Sequence, residues 1–127
     1  MTEPFWLTVE MVLDAHSEQL AIFGGPDGVR DLGLLESAVD RPRNKFAYGE
    51  TDLLALAAAY AFGIARNYPF VDGNKRAAFA SIVMFLAIND IDFLVPEAQA
   101  TIITLDLAAG EVSEESLARW IRDNWPE

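Results

Sequence analysis

Apolar residues recur along this chain mostly at helical spacing. Val9, Val12, Leu13, Leu20 and Phe23 mark one face of a helix that opens after the N-cap candidate Thr8 and runs through VEMVLDAHSEQLAIF to the break at GGPDG. LGLLESAVDR predicts a second, short helix ending before Pro42. In PRNKFAYGE, Phe46 and Tyr48 lie two apart with Gly49 behind them, which predicts a short strand or hairpin flap. Thr51 or Asp52 caps a third helix reaching Asn67. Beyond the loop at residues 68–73 a fourth helix starts near Asn74 and ends near Asn89 and Asp90. Both are apolar nearly all round, as the central pair of a small helical domain is. IDFLVPE reads as an extended turn ending at Pro96, EAQATIITLDLAAG as a helix stopped by Gly110, and SEESLARWIRDNW as a last helix capped by Ser113. The expected fold class is all-α, a compact bundle of about six helices with a short flap.

With 127 residues, 52% of them hydrophobic, the chain has the material for one core, and one domain over residues 1–127 is the expectation. It contains no cysteine, so thiolate chemistry and disulfides are excluded, in keeping with a reducing cytoplasm. The opening MTEPFWLTVE lacks the basic-then-apolar pattern of a secretory leader. The longest apolar runs, residues 53–65 and 77–88, fall short of the roughly 18 residues of a membrane span. A net charge of −11 repels a nucleic-acid backbone and anionic lipid alike, so neither is an expected partner. Against that background Arg66, Lys75 and Arg76 form a local concentration of cations, which as such is usually a solvated surface.

The stretch RNYPFVDGNKRAAF gives those cations a chemical setting. A helix start is already positive and prefers acidic residues in its first turn, yet here Lys75 and Arg76 follow directly on Gly73 and Asn74. An anion bound at that end resolves the conflict, because backbone amides, both cations and the helix dipole all act on it. Phosphate is the natural candidate. Gly73 lets the backbone approach, Asn74 can cap the helix or offer its amide, and the lone carboxylate of Asp72 suits a Mg²⁺ ion bridging to nucleotide phosphates. The plainer reading of Asp72 and Gly73 is an Asp-Gly turn. Pro69 predicts an extended Tyr68, and Phe70 a core anchor for the loop. Arg66, at the end of the preceding helix, also suits that helix's dipole. Neither a Walker-type nor a dinucleotide-binding glycine motif is present. His16, the only histidine, sits mid-helix and far from the loop in sequence, and is expected to be structural or partly buried.

At these residues the chain resembles the Fic/Doc family, and more closely its small Doc-type toxin branch. The family motif reads His-x-Phe-x-Asp/Glu-Gly/Ala-Asn-Gly/Lys-Arg. YPFVDGNKR matches it at Phe70, Asp72, Gly73, Asn74, Lys75 and Arg76 and departs at Tyr68, while Phe79 stands where Fic enzymes carry a second arginine. LDAHSEQLAIFGG and AGEVSEESLARWIRDNW resemble the family's first and last helices, so the likeness covers nearly the whole chain. The resemblance implies a nucleotide held by the loop and the helix after it, with Asp72 on Mg²⁺ and Asn74, Lys75 and Arg76 on phosphates. Most members transfer AMP to a protein hydroxyl and carry glycine after the motif asparagine. Doc-type members carry lysine there, as Lys75 does, and transfer the terminal phosphate of ATP, with elongation factor Tu as target. The flap, Lys45, Phe46, Ala47 and Tyr48, would register that target by strand-like pairing. The Ser/Thr-x-x-x-Glu-Gly/Asn helix with which many Fic proteins silence themselves is absent, since no glutamate here precedes glycine or asparagine. Control would then come from an antitoxin in trans.

The family's first motif residue is a histidine that accepts the proton of the attacking hydroxyl. Tyr68 in that position keeps its own proton near neutral pH, its reference pKa being about 10. Nucleotide binding with weakened transfer is the expectation. A single base change separates histidine and tyrosine codons, so a substituted enzyme and a natural nucleotide binder without chemistry are both compatible with the sequence. AMP transfer, and an acidic helical domain that binds a basic partner, are the remaining alternatives. Trp6, Trp120 and Trp125 near the termini suit core or rim packing or the lining of a partner groove.

Overall fold

The computed structural model describes residues 2–126. Six helices account for the regular structure of those residues: α1 (Val9–Phe23), α2 (Leu32–Ala47), α3 (Leu53–Asn67), α4 (Asn74–Ile88), α5 (Glu97–Ala108) and α6 (Glu114–Asp123). The fold is all-α, with a single isolated antiparallel bridge, Val29 to Phe70, among the described residues. None of the helices is long and apolar enough to cross a membrane.

Side-chain caps set three of the starts read from sequence. Thr8 accepts from the Met11 amide, Asp52 from Leu54 and Ser113 from Ser116, each satisfying an N–H that the helix itself leaves free. α3 is the central element, packed against α2, α4, α5 and α6. Its buried set runs almost without a break from Leu54 to Ala65. Small residues let its neighbours approach: a Cβ added at Gly63 would lie 3.2 Å from the Ala38 Cα, so α2 crosses α3 there with backbones nearly touching. Trp6 stacks on Phe85, and Phe93 meets the edge of Trp120, which settles these tryptophans as packing residues.

The expectation of a short α2 followed by a strand is corrected. α2 continues through Pro42 to Ala47, and Lys45, Phe46 and Ala47 are helical. Proline inside a helix removes one backbone bond and costs about 3 kcal/mol or more, but tertiary contacts on both sides of it hold the helix here. Pro42 is buried, Phe46 packs edge-on against Trp6 at 5.6 Å, and Arg41 and Lys45 both pair with Glu114 at the start of α6. What remains of a flap is the turn at Tyr48 and Gly49.

Glu114 binds α6 to α2 through charge. Burial alone would push its carboxyl up, yet hydrogen bonds and positive charge from Lys45 and Arg41 outweigh this and hold it below the ordinary 4.5. A carboxyl lowered in the folded state contributes stability that is complete above its unfolded value and is lost as pH falls through its folded one. Glu114→Gln is therefore expected to destabilise the chain at neutral pH and to flatten the loss of stability on acidification below 4.5. Urea unfolding of both chains across that range measures the difference.

Candidate functional site

The loop between α3 and α4 is held from four sides. Phe70, almost fully buried, anchors it in the core. Asn74, the first residue of α4, closes it on itself: its Oδ1 accepts from the Phe70 amide at 2.9 Å and its Nδ2 donates to the Phe70 carbonyl at 3.0 Å. From the α1–α2 connection, Val71 N–H donates to the Gly28 carbonyl at 3.0 Å and Arg30 N–H to the Pro69 carbonyl at 2.7 Å. The Arg30 side chain then caps α3, its Nε and Nη2 donating to the carbonyls of Tyr68 and Asn67 at 2.6 and 2.8 Å. A cation on the last carbonyls of a helix suits both their geometry and the dipole.

The fourth support is His16. It is 2% exposed, its ring lies parallel to Phe70 at 3.7 Å, and its Nε2 is 2.7 Å from the Asp72 carbonyl oxygen. Burial agrees with the sequence reading, and the ring reaches the loop from 56 residues away along the chain. The α1 pattern carried only a weak sign of this contact, a polar residue on a buried face.

Tyr68 is not extended. It ends α3 in the left-handed conformation, φ 50 and ψ 54, and its amide donates to the Ile64 carbonyl. Proline disfavours the right-handed helical region for the residue before it, which the left-handed region also avoids. The Tyr68 hydroxyl donates to the carbonyl of Ala108, the last residue of α5, at 3.0 Å. α5 has no basic residue in its last turn, so the phenol satisfies a carbonyl that the helix leaves open. The side chain at the position of the expected proton acceptor is thus a tie between the loop and α5.

α4 begins after Gly73, whose φ of 80 is one that a side chain resists. A Cβ there would also meet His16 Nε2 at 3.3 Å. The first bond of the helix runs from the Ala77 amide to the Gly73 carbonyl, which leaves the amides of Asn74, Lys75 and Arg76 ahead of it. Gly73 offers no capping side chain, and the Asn74 side chain is engaged with Phe70. Both roles expected of the Asn74 side chain, capping α4 and offering its amide to an anion, are therefore corrected: it serves the loop, and only its backbone N–H stands at the helix start. No acidic residue lies in the first turn. Lys75 is exposed, and Arg76 lies over the ring of Phe23 at 4.2 Å, a cation–π contact that explains an aromatic residue left half-exposed at the end of α1. Neither cation joins an ion pair among the described residues.

Asp72 is exposed, with its carboxylate folded against Gly25. Three or more His, Asp or Glu side chains converge nowhere among the described residues. Asp72 is thus a lone carboxylate beside the helix start, with no set of protein ligands that would cage an ion.

The remaining candidates gather elsewhere. A cavity of about 700 Å³ between α2 and α3 is lined by Lys45, Tyr48 and Arg66 together with Arg41, Phe62 and Asn67 among others. Arg41 and Arg66 each place a guanidinium 5.4 Å from the Phe62 ring. Phe46 and Ala47 do not line it, and Asp72, Gly73, Asn74, Lys75 and Arg76 lie outside it. The candidate residues thus fall in two places: an open, positive helix start, and a groove that ends at Asn67, the residue before Tyr68.

A family model described as Fic/DOC family matches residues 6–86, more than half of the chain. The chain is 34% identical over 118 residues to the protein kinase doc of Escherichia phage P1, covering 91% of this chain and 92% of that protein. It is 44% identical over 106 residues to the toxin Doc of Mycolicibacterium smegmatis, covering 78% of this chain and 77% of that one.

Proposed function

The chain belongs to the Fic/DOC family, and from that premise we propose that it is a Doc-like toxin of a toxin–antitoxin pair, built to pass the terminal phosphate of ATP to a hydroxyl of a target protein and impaired in that step by Tyr68. The observation that carries the reading is the start of α4: among the described residues the amides of Asn74, Lys75 and Arg76 have no hydrogen-bond acceptor, Lys75 and Arg76 join no ion pair, and the first turn has no carboxylate. Such an end attracts an anion even in a molecule of charge −11.

In this reading the amides of Asn74, Lys75 and Arg76, with the Lys75 and Arg76 side chains, hold the phosphoryl oxygens of ATP, and Gly73 lets them approach. Asp72 would hold the Mg²⁺ ion. The ion, when bound, neutralises charge on the phosphoryl oxygens. Positioned in line, the target hydroxyl forms a bond to the γ-phosphorus as the bond to ADP breaks. Its proton needs an acceptor at position 68, and the Tyr68 hydroxyl is already donating to the Ala108 carbonyl. The engagement of that phenol also supports a second reading, a nucleotide and partner binder without chemistry.

Lysine after the motif asparagine, and the likeness to the phage protein kinase, favour phosphate over AMP as the group transferred. For the target, elongation factor Tu by family resemblance, the α2–α3 groove offers Lys45, Tyr48 and Arg66 as side-chain contacts. Strand-like pairing to Lys45, Phe46 and Ala47 is ruled out while their backbones belong to α2. Restraint falls to an antitoxin in trans, one domain over residues 1–127 carries the activity, and the cytoplasm supplies ATP.

Thermal unfolding with and without ATP and Mg²⁺ tests the binding step on the chain as it stands. Saturation at about 100 times Kd raises stability by about 2.7 kcal/mol. An unshifted transition, both here and in the Tyr68→His chain, contradicts nucleotide binding and leaves a helical interaction domain.

A further inference from the structure

We propose that His16 is a positioning residue that orients the phosphate loop, an inference that rests on the reading of the α4 start as a phosphoryl site. Its ring meets three parts of the loop at once: the face of Phe70 at 3.7 Å, the Asp72 carbonyl at 2.7 Å, and the space where a Cβ on Gly73 would lie 3.3 Å away. A carbonyl only accepts, so Nε2 carries a proton. That nitrogen is therefore a donor, and it does not replace the missing proton acceptor.

The consequence for the loop follows from the planar trans peptide. Asp72 C=O and Gly73 N–H belong to one plane and point in opposite directions. Drawing the carbonyl onto His16 turns its partial negative charge towards α1 and directs the Gly73 amide the other way. A phosphoryl site made of amides needs both effects, because an oxygen left facing the anion would repel it. Gly73 N–H thereby joins the amides of Asn74, Lys75 and Arg76 as a donor, and glycine is required where the ring fills the space beneath it.

His16→Phe keeps a flat ring on Phe70 and removes the donor, whereas His16→Gln returns a donor without the aromatic ring. The probe is MgATP, with affinity measured by calorimetry and amide hydrogen exchange followed at Gly73, Asn74, Lys75 and Arg76. The Phe variant is expected to unfold cooperatively, to lose about tenfold in affinity, the worth of about one hydrogen bond, as the Asp72 carbonyl is freed to face the anion, and with MgATP present to exchange those amides faster than the parent. The Gln variant is expected to recover most of the affinity. A Phe variant that binds MgATP as tightly as the parent, whatever its melting temperature, overturns the proposal. If the parent itself binds no MgATP, the phosphoryl-site reading falls, and a lowered melting temperature of the Phe variant would then mark His16 as a purely structural residue. A measurement on the unsubstituted chain needs no variant to fold: nitrogen NMR is expected to find Nε2 protonated and slow to exchange, and an unprotonated Nε2 overturns the assignment.

Discussion

Tyr68→His is expected to raise phosphate transfer from ATP to a target hydroxyl by on the order of 10²- to 10⁴-fold, the usual worth of a general base. An imidazole with a reference pKa of about 6.5 is largely unprotonated at pH 7, whereas a phenol at about 10 is not. The same change removes the hydroxyl that Tyr68 donates to the Ala108 carbonyl at 3.0 Å. A neutral hydrogen bond is worth about 0.5–1.5 kcal/mol, and this one is partly exposed, so a loss near the lower end is expected. Activity and stability thus move in opposite directions, which separates restored chemistry from a general improvement in folding. With γ-labelled ATP the label passes to the target, and with α-labelled ATP it does not; the reverse pattern identifies AMP transfer. A folded histidine variant that is inert with ATP, Mg²⁺ and elongation factor Tu contradicts the enzyme reading and favours the binder without chemistry.

Replacing both cations at the α4 start, Lys75→Gln with Arg76→Gln, is expected to weaken MgATP binding by at least about a hundredfold, since hydrogen bonds from charged donors are worth about 1.5–3 kcal/mol each. The free protein should not be destabilised to match. Two cations next to a positive helix end each cost a few tenths of a kcal/mol, and their removal relieves that, offset by the loss of the Arg76 contact with Phe23 at 4.2 Å. Affinity should also become less sensitive to salt. Unaltered affinity in the double variant means that these side chains are not phosphate ligands.

The parts of the fold read correctly from sequence are those set by local chemistry. Thr8, Asp52 and Ser113 cap helices because their oxygens reach amides two or three residues on, and α3 is apolar all round because helices cover most of its surface. The errors are non-local. Pro42 reads as a stop in any single-sequence view, and only the contacts of Arg41, Lys45 and Phe46 with Glu114 and Trp6 carry the helix past it. The residues that hold the loop, Arg30 and His16, come from 37 and 56 residues away along the chain and show no spacing to detect. The candidates for the site were legible, because Gly73, Lys75 and Arg76 conflict with an ordinary helix start. Its layout was not: nothing local separates the flap residues that reach the groove, Lys45 and Tyr48, from Phe46 and Ala47, which do not.

The most direct measurement of the central claim is a titration of the chain with MgATP followed by backbone amide NMR. The account predicts that the largest shifts fall on Gly73, Asn74, Lys75 and Arg76. Shifts concentrated instead at Asn44, Phe62 and Arg66 in the α2–α3 groove, with the start of α4 unmoved, would contradict it.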